Sequence, residues 1–470
     1  MTLLLVIVIW KLLWALLSNT WYVPDETWQS VEVAHQRVWD RGHLTWEHQE
    51  AIRSALLSLP YTIIFSLLSI LHLDYQWLVI LLPKIFAGLL TAIGDYCFYK
   101  LVKIREGRGC AAWVLLLTQT NWFLMYSGSR TLVNTAEMAL LSIGLSQYPR
   151  PSYLPVAALS VMMRPTIVIA WLPLLLKHLY SVLIFKGLVN LIKLSITPLM
   201  TVLVTIVIDT LHYGHWTLTP LNFFKFNVVH NLGSFYGTNP CYWYITNTLL
   251  PIMGPFLPVS LIYFVQDNSN NDIIKGPVIC SVLFLSMLEH KEMRFLQPIL
   301  PLLFYSVAKK LHRWTQSAPT SLVFSVLMLF NMPIAVYLSM VHQRGVVDVS
   351  VWLGQQTNVS SAMFLMPCHS APMHSHVHRP NINLSYLQCL PNIHNDPHYV
   401  EEAEAFYSSP AEKYLTLYSH NNCLIIFDSM MSSLMDSFER TGHIFVKSFF
   451  HTHFSNGRIG ENVQVFCKDR

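Results

Sequence analysis

Apolar residues gather in long runs separated by short polar stretches, at 3–17, 56–73, 77–98, 110–126, 131–147, 153–177, 189–208, 249–265, 277–288, 295–308 and 318–341. A helix needs about 20 mostly apolar residues to span hydrocarbon, so the runs predict membrane helices. The shorter ones are expected to be tilted, extended by flanking residues, or not to cross. After residue 341 the pattern changes. Leu424–Asp428 reads as a strand, Met430–Arg440 as a helix, and Ile444–Phe450 and Asn462–Phe466 as strands across an Asn456-Gly457 turn. The expected organisation is a membrane domain over 1–341 and a small α+β domain over 342–470. Proline lacks an amide donor and restricts the residue before it, so Met163-Arg164-Pro165 predicts a helix break inside 153–177.

Composition agrees with this class. The chain has 470 residues, 53% hydrophobic and 12% charged, against about 25% charged in soluble proteins. A net charge of +4 is too mild to argue for nucleic acid. Basic residues fall in three stretches, at Lys100, Lys103, Arg105 and Arg108, from Lys177 to Lys193, and at Lys309, Lys310 and Arg313. The positive-inside rule predicts that these loops are cytosolic. The 18–55 loop carries six acids against three arginines and is expected on the opposite side. Strict alternation would put 99–109 on the wrong side for its charge. Segments 56–73 and 77–98 are therefore expected to make one net crossing, and 153–177 to leave on the side it entered. The result is about nine to eleven transmembrane or re-entrant helices, with 18–55, 290–294 and the tail in the lumen. The first run contains Lys11, Trp10 and Trp14 and has no small-residue cleavage site, so it reads as a retained signal anchor.

Two further signals agree on the tail. Cys368, Cys389, Cys423 and Cys467 permit two disulfides in any of three pairings, given an oxidising compartment. The sequons Asn358-Val-Ser360 and Asn383-Leu-Ser385 make Asn358 and Asn383 candidate glycosylation sites. Together they predict the lumen of the endoplasmic reticulum.

Four stretches carry candidate chemistry. In "WYVPDETWQSVEVAH", the helically spaced Trp28, Val31, His35 and Val38 oppose polar Gln29, Glu32 and Gln36. This predicts a helix lying on the bilayer surface with its tryptophans at headgroup depth. Asp25 at its start reads either as a helix cap or, with Glu26 beside it, as a general base at the membrane face. In "HKEMRF", helical spacing would put His290, Lys291 and Arg294 on one face and point Glu292 elsewhere. The cluster is either snorkelling charge or a seat for a phosphate leaving group. Arg130, Asn134 and Glu137, and separately Arg164, are polar groups at membrane depth that read as packing contacts or substrate ligands. The set His369, His374, His376 and His378 beside Cys368 matches no standard zinc spacing, and no metal site is expected there. There is no nucleotide-binding loop, dinucleotide fingerprint or nucleophile elbow.

The motifs "PDETWQSVEVAH", "GHLTWE", "SRTLVNTAEM", "MRPT", "HWTLTPLNFFKFNVVHNLGSFYGTNPCYWY", "HKEMRF" and "MPCHSAPMHSHVH" follow one another in the order found in glycosyltransferase family 22. The chain resembles that family over nearly its whole length, and the "KFN…WY" stretch and tail resemble its branch acting at the third mannose of the GPI-anchor precursor. The resemblance implies the GT-C membrane fold. It implies inverting transfer of mannose from dolichyl phosphate mannose to the second mannose of a GPI precursor, forming an α-1,2 bond. It also implies an acid in the first luminal loop as base, which falls on Asp25 with Glu26 beside it. No cofactor and no protein partner is implied beyond the two lipid-linked substrates. Competing readings are another enzyme of the family, acting at the fourth GPI mannose or on N-glycan precursors, and a lipid transporter. A transporter would often show repeated halves, and none is visible here.

Overall fold

The structure is a computed structural model that describes residues 2–468 apart from 231, 232, 234, 236, 268–271, 315–319, 393–395 and 397. The chain divides into two compact units. One comprises Met1–Leu16, Glu47–Leu57 and Lys84–Ala335, and the other Leu17–Trp46, Ser58–Pro83 and Val336–Arg470.

The first unit is helical. Among the described residues, four helical stretches of the chain are long and apolar enough to cross a membrane, Gln76–Thr120, Pro165–Phe185, Gly187–Tyr213 and Leu322–Gln355. Tyr244–Met253 and Phe256–Gln266 form a further pair bent by 112°. Shorter apolar helices are Thr2–Leu17, Tyr153–Met163 and Lys275–Met287 here and Leu59–Ile70 in the other unit. The protein is thus a multi-pass membrane protein. The predicted basic loop at 99–109 is instead helical, because lysine, arginine and glutamate propagate a helix well. Only Gly107 departs, at φ 87°, a left-handed conformation that suits a residue without Cβ. Helix likewise replaces the basic stretch from Lys177 to Lys193, interrupted at Gly187 with φ 76°. The break at Met163-Arg164-Pro165 is present, with Arg164 extended between the Tyr153–Met163 helix and a 3-10 turn at Pro165–Ile167.

The first helix, Thr2–Leu17, is built into this unit by a buried ion pair. Lys11 Nζ lies 2.9 Å from the Asp95 carboxylate, which also accepts from Gln119 Nε2 at 2.7 Å. A charge at membrane depth is costly unless paired, and Lys11 is paired.

The second unit holds a five-stranded sheet in the order β2-β1-β3-β5-β4, with β1 at Ser361–Phe364, β2 at Asn383–Tyr386, β3 at Cys423–Phe427, β4 at His443–Phe450 and β5 at Asn462–Lys468. β1 pairs in parallel with β2 and β3, and β5 is antiparallel to β3 and β4. Side chains alternate between two cores, as the two-residue period of a strand requires. Ala362, Phe364, Cys423, Ile425 and Phe427 enter one, with the Gly345–Gln355 helix and Trp21 and Trp28 of the first loop. Met363, Leu365, Leu424 and Ile426 enter the other, with Leu434 and Phe438 of the Met431–Thr441 helix. The disulfides are Cys368–Cys389 and Cys423–Cys467, the second joining register partners on β3 and β5. Asn358 and Asn383 are exposed, Asn383 on the edge strand β2.

Candidate active site

In the second unit, the opening stretch folds differently from the expected surface helix. A short turn, Asp25–Trp28, follows Pro24, and a separate helix, Val31–Trp39, begins after Gln29 and Ser30. Trp28 is 2% exposed, and its indole N–H donates to the Ala371 carbonyl at 3.1 Å. Its ring meets His369 at 4.5 Å and Tyr386 at 4.9 Å between centroids. This tryptophan therefore packs into protein rather than lying open on a surface helix, and its polar atom finds a backbone acceptor there. The two acids differ in access. Asp25 is half-buried, whereas Glu26 is only 5% exposed. Burial pushes the His369 imidazole down to about 4, opposed by the charge of Asp25.

Glu32, which spacing had placed on the polar face, is inside, and so is His35 of the apolar face. Glu32 accepts from Met373 N (2.9 Å), Ser375 N (3.1 Å) and Ser375 Oγ (2.6 Å), which ties the Val31–Trp39 helix to the histidine-rich segment. Burial holds its carboxyl above the usual range despite these donors. His35 Nδ1–H donates to the Arg41 carbonyl at 2.8 Å, so its Nε2 accepts from His378 Nδ1 at 2.9 Å. Burial drives His35 down to about 3, and burial also lowers the His378 pKa, opposed by Asp74. His376 Nδ1 is engaged by Ser375 Oγ at 2.9 Å. Among the described residues, the only set of three or more ligand types close enough for a metal is Cys368, Cys389 and Glu401, and its two sulfurs form the disulfide.

In the first unit, "HKEMRF" is extended at Glu292 and becomes a 3-10 helix only at Met293–Ile299. The shared cationic face expected of an α-helix is therefore absent. Glu292 does not point elsewhere but accepts from Arg294 Nε (2.7 Å) and Nη2 (2.6 Å) and from His290 Nε2 (3.1 Å). Burial works against its charge, yet Arg294 and His290 hold its carboxyl below the usual range. His290 Nδ1 also donates to the Gly237 carbonyl at 3.2 Å. With both ring nitrogens facing acceptors, its pKa is raised, Glu292 outweighing the cost of burial. Lys291 Nζ donates to the Asn239 carbonyl at 2.7 Å and to that of Leu288, clamping the 237–239 segment.

The broken helix end supplies a second arginine. Arg164 lies 4.8 Å from the Phe295 ring centroid and Arg294 lies 5.5 Å from it. Arg164 Nη1 is 3.6 Å from Glu137, which also accepts from Asn134 Nδ2 at 3.0 Å. The unit thus gathers Arg164, Arg294 and His290 about Phe295 and two carboxylates, while Lys291 turns to backbone carbonyls. Arg130 turns back on its own segment, donating from Nε to the Tyr126 carbonyl at 3.1 Å and lying over the Tyr126 ring at 4.2 Å. Positions 231, 232, 234 and 236 of the "HWT…WY" stretch lie outside the described residues.

Residues 2–378 match the model of the Alg9-like mannosyltransferase family. The chain belongs to that family. It is a membrane-embedded glycosyltransferase, as family 22 motifs implied. GPI alpha-1,2-mannosyltransferase 3 of Danio rerio is 35% identical over 485 residues, covering 98% of this chain and 89% of the relative. The protein of the same name from Homo sapiens is 35% identical over 478 residues, covering 97% and 85%. The GPI mannosyltransferase 3 of Drosophila melanogaster is 36% identical over 83% of this chain and 72% of its own. Among solved structures, ArnT from Cupriavidus metallidurans bound to undecaprenyl phosphate superposes with a TM-score of 0.60 at 10% identity, covering 99% of this chain and 97% of its own. The Archaeoglobus fulgidus oligosaccharyltransferase gives 0.53 at 10% identity, covering 94% and 73%. At such identities these two establish the fold alone, the GT-C architecture. Trp28, Glu32, His35 and Glu292 make these contacts, although spacing had given none of them a chemical role. The first three lie in the quoted "PDETWQSVEVAH" motif, and Glu292 in "HKEMRF".

Proposed function

We propose that the protein is an inverting α-1,2-mannosyltransferase that moves mannose from dolichyl phosphate mannose to the second mannose of a GPI-anchor precursor. It would work in the endoplasmic reticulum membrane with its chemistry on the luminal side. The observation that carries this reading is near-full-length similarity, at 34–36% identity, to five vertebrate proteins of one name, GPI alpha-1,2-mannosyltransferase 3. Exposed sequons and two disulfides in the tail support the luminal side.

The accessible acid and the cation array divide the chemistry. Asp25 takes the proton of the acceptor 2-hydroxyl as that oxygen bonds to mannose C1, opposite the phosphate. The C1–O bond to phosphate breaks, and its electron pair leaves on dolichyl phosphate. That leaving group is already anionic and needs no proton, which suits cations rather than a second acid. Arg294, Arg164, His290 and Lys291 stabilise the charge that grows on it. No metal or cofactor is required by this sequence of events.

Transfer from labelled dolichyl phosphate mannose to defined acceptors in proteoliposomes tests the reading. Asp25→Asn should lower kcat by about 10²–10⁴-fold with donor binding intact. Near-normal turnover by that variant removes the base assignment. Activity on an N-glycan precursor, with none on the dimannosyl GPI precursor, removes the substrate assignment.

A further inference from the structure

The C-terminal domain presents an aromatic turn beside the end of a membrane helix. In the Thr320–Met340 helix, Leu322, Phe324, Leu329, Phe330 and Ile334 are exposed apolar side chains, as on a lipid-facing surface. Ile334 is the last of them. Tyr337 follows three residues later, about 4.5 Å farther along the axis. Against Tyr337 lies the turn after β4. Tyr337 Oη and His453 Nδ1 share a hydrogen bond of 2.9 Å, and the Tyr337 and Phe454 rings stand 6.3 Å apart. Phe454 also meets His342 at 6.3 Å, and Phe450 meets His453 at 4.6 Å.

The turn is held in place. Thr452 Oγ1 accepts from Phe454 N at 3.0 Å and is also hydrogen-bonded to His342 Nδ1 at 3.0 Å. His451 N donates to the Glu461 carbonyl at 2.7 Å. Yet Phe454 is 70% exposed and Phe450 40% exposed. The turn is thus fixed with exposed phenylalanines against Tyr337, one turn beyond the last exposed apolar side chain of that helix. Rings with polar neighbours suit the boundary between headgroups and acyl chains, a zone about 5–10 Å deep. Tyr337, against which the turn packs, lies on the same continuous helix as those apolar side chains, which favours lipid over a protein partner as the occupant.

We propose that Phe450 and Phe454 insert into the headgroup–acyl boundary of the leaflet on the C-terminal domain's side and seat that domain on the bilayer. This does not depend on the transfer chemistry above. The full-length protein in phosphatidylcholine nanodiscs, doped with a phosphatidylcholine bearing a diazirine near its glycerol, would be irradiated and its peptides mapped. Lipid adducts are expected on the peptide containing 450–454 as well as on that containing 322–334. In the Phe450→Ser, Phe454→Ser double variant, adducts should be lost from the first peptide and kept on the second. A labelled helix with no adduct at 450–454 in the unsubstituted protein overturns the proposal. So does a photo-crosslinking residue at 454 that captures protein and no lipid in native microsomes.

Discussion

Glu292→Gln keeps the side chain's shape and removes the charge that organises "HKEMRF". The carboxylate receives hydrogen bonds from Arg294 Nε, Arg294 Nη2 and His290 Nε2 at 2.7, 2.6 and 3.1 Å. An amide offers one oxygen in place of two, so at least one of the Arg294 bonds is lost and an NH₂ faces a guanidinium. Breaking one side of a buried ion pair costs about 3–5 kcal/mol. The Glu292 side chain retains 26% exposure, which reduces this to roughly 2–4 kcal/mol. If Arg294 serves the transition state, kcat/KM should fall by about 30–1000-fold. A pH signature separates this from simple unfolding. Glu292 raises the His290 pKa, so the imidazolium's contribution is present at low pH and is lost as pH rises through the folded value. In the variant that limb should move to lower pH. Initial rates of mannose transfer in proteoliposomes, from mildly acidic to alkaline pH, measure both effects. Wild-type kcat/KM with an unshifted alkaline limb would refute the reasoning.

Two further outcomes test the second unit. Burial raises the Glu32 carboxyl pKa, so the folded chain keeps a proton that the unfolded chain releases. That stabilisation is fully present below the unfolded pKa and is lost as pH rises through the folded one. Glu32→Gln should therefore flatten the pH dependence of the melting midpoint and leave it equal or higher at neutral pH. A steeper dependence counts against the argument. Asn358→Gln and Asn383→Gln should each remove one glycan's mass from the protein made in cells, seen as a gel shift that disappears after deglycosylation. Absence of both glycans together with cytosolic protease access to the tail would reverse the membrane orientation.

The sequence made some of this legible through local signals. The expected tail elements at Leu424–Asp428, Met430–Arg440, Ile444–Phe450 and Asn462–Phe466 match β3, the Met431–Thr441 helix, β4 and β5 within two residues at either end. Proline chemistry located the break at Arg164. β1 and β2 escaped notice because four residues each, SAMF and NLSY, are too short for an alternation to register. The helix through 99–109 was hidden because charge patterning speaks of membrane side and says little about backbone conformation. Spacing on an ideal helix misdirected Glu292, since the segment is extended at that residue. It also misdirected Trp28 and Glu32, whose partners Ala371, Met373 and Ser375 are more than 340 positions away. No local pattern can announce a partner at that distance.

That distance has a consequence for how the enzyme comes into being. The turn bearing Asp25 leaves the ribosome well before the backbone that holds Trp28, which arrives 343 residues later. At about 5–20 residues per second the interval is roughly 20–70 s. β5, which lies between β3 and β4 in the sheet, follows both of them in the chain. A nascent chain must therefore keep the Asp25 motif idle until the sheet that holds it has been translated. Premature stop codons anywhere before residue 462 should yield products without transferase activity, even when every spanning helix has been inserted.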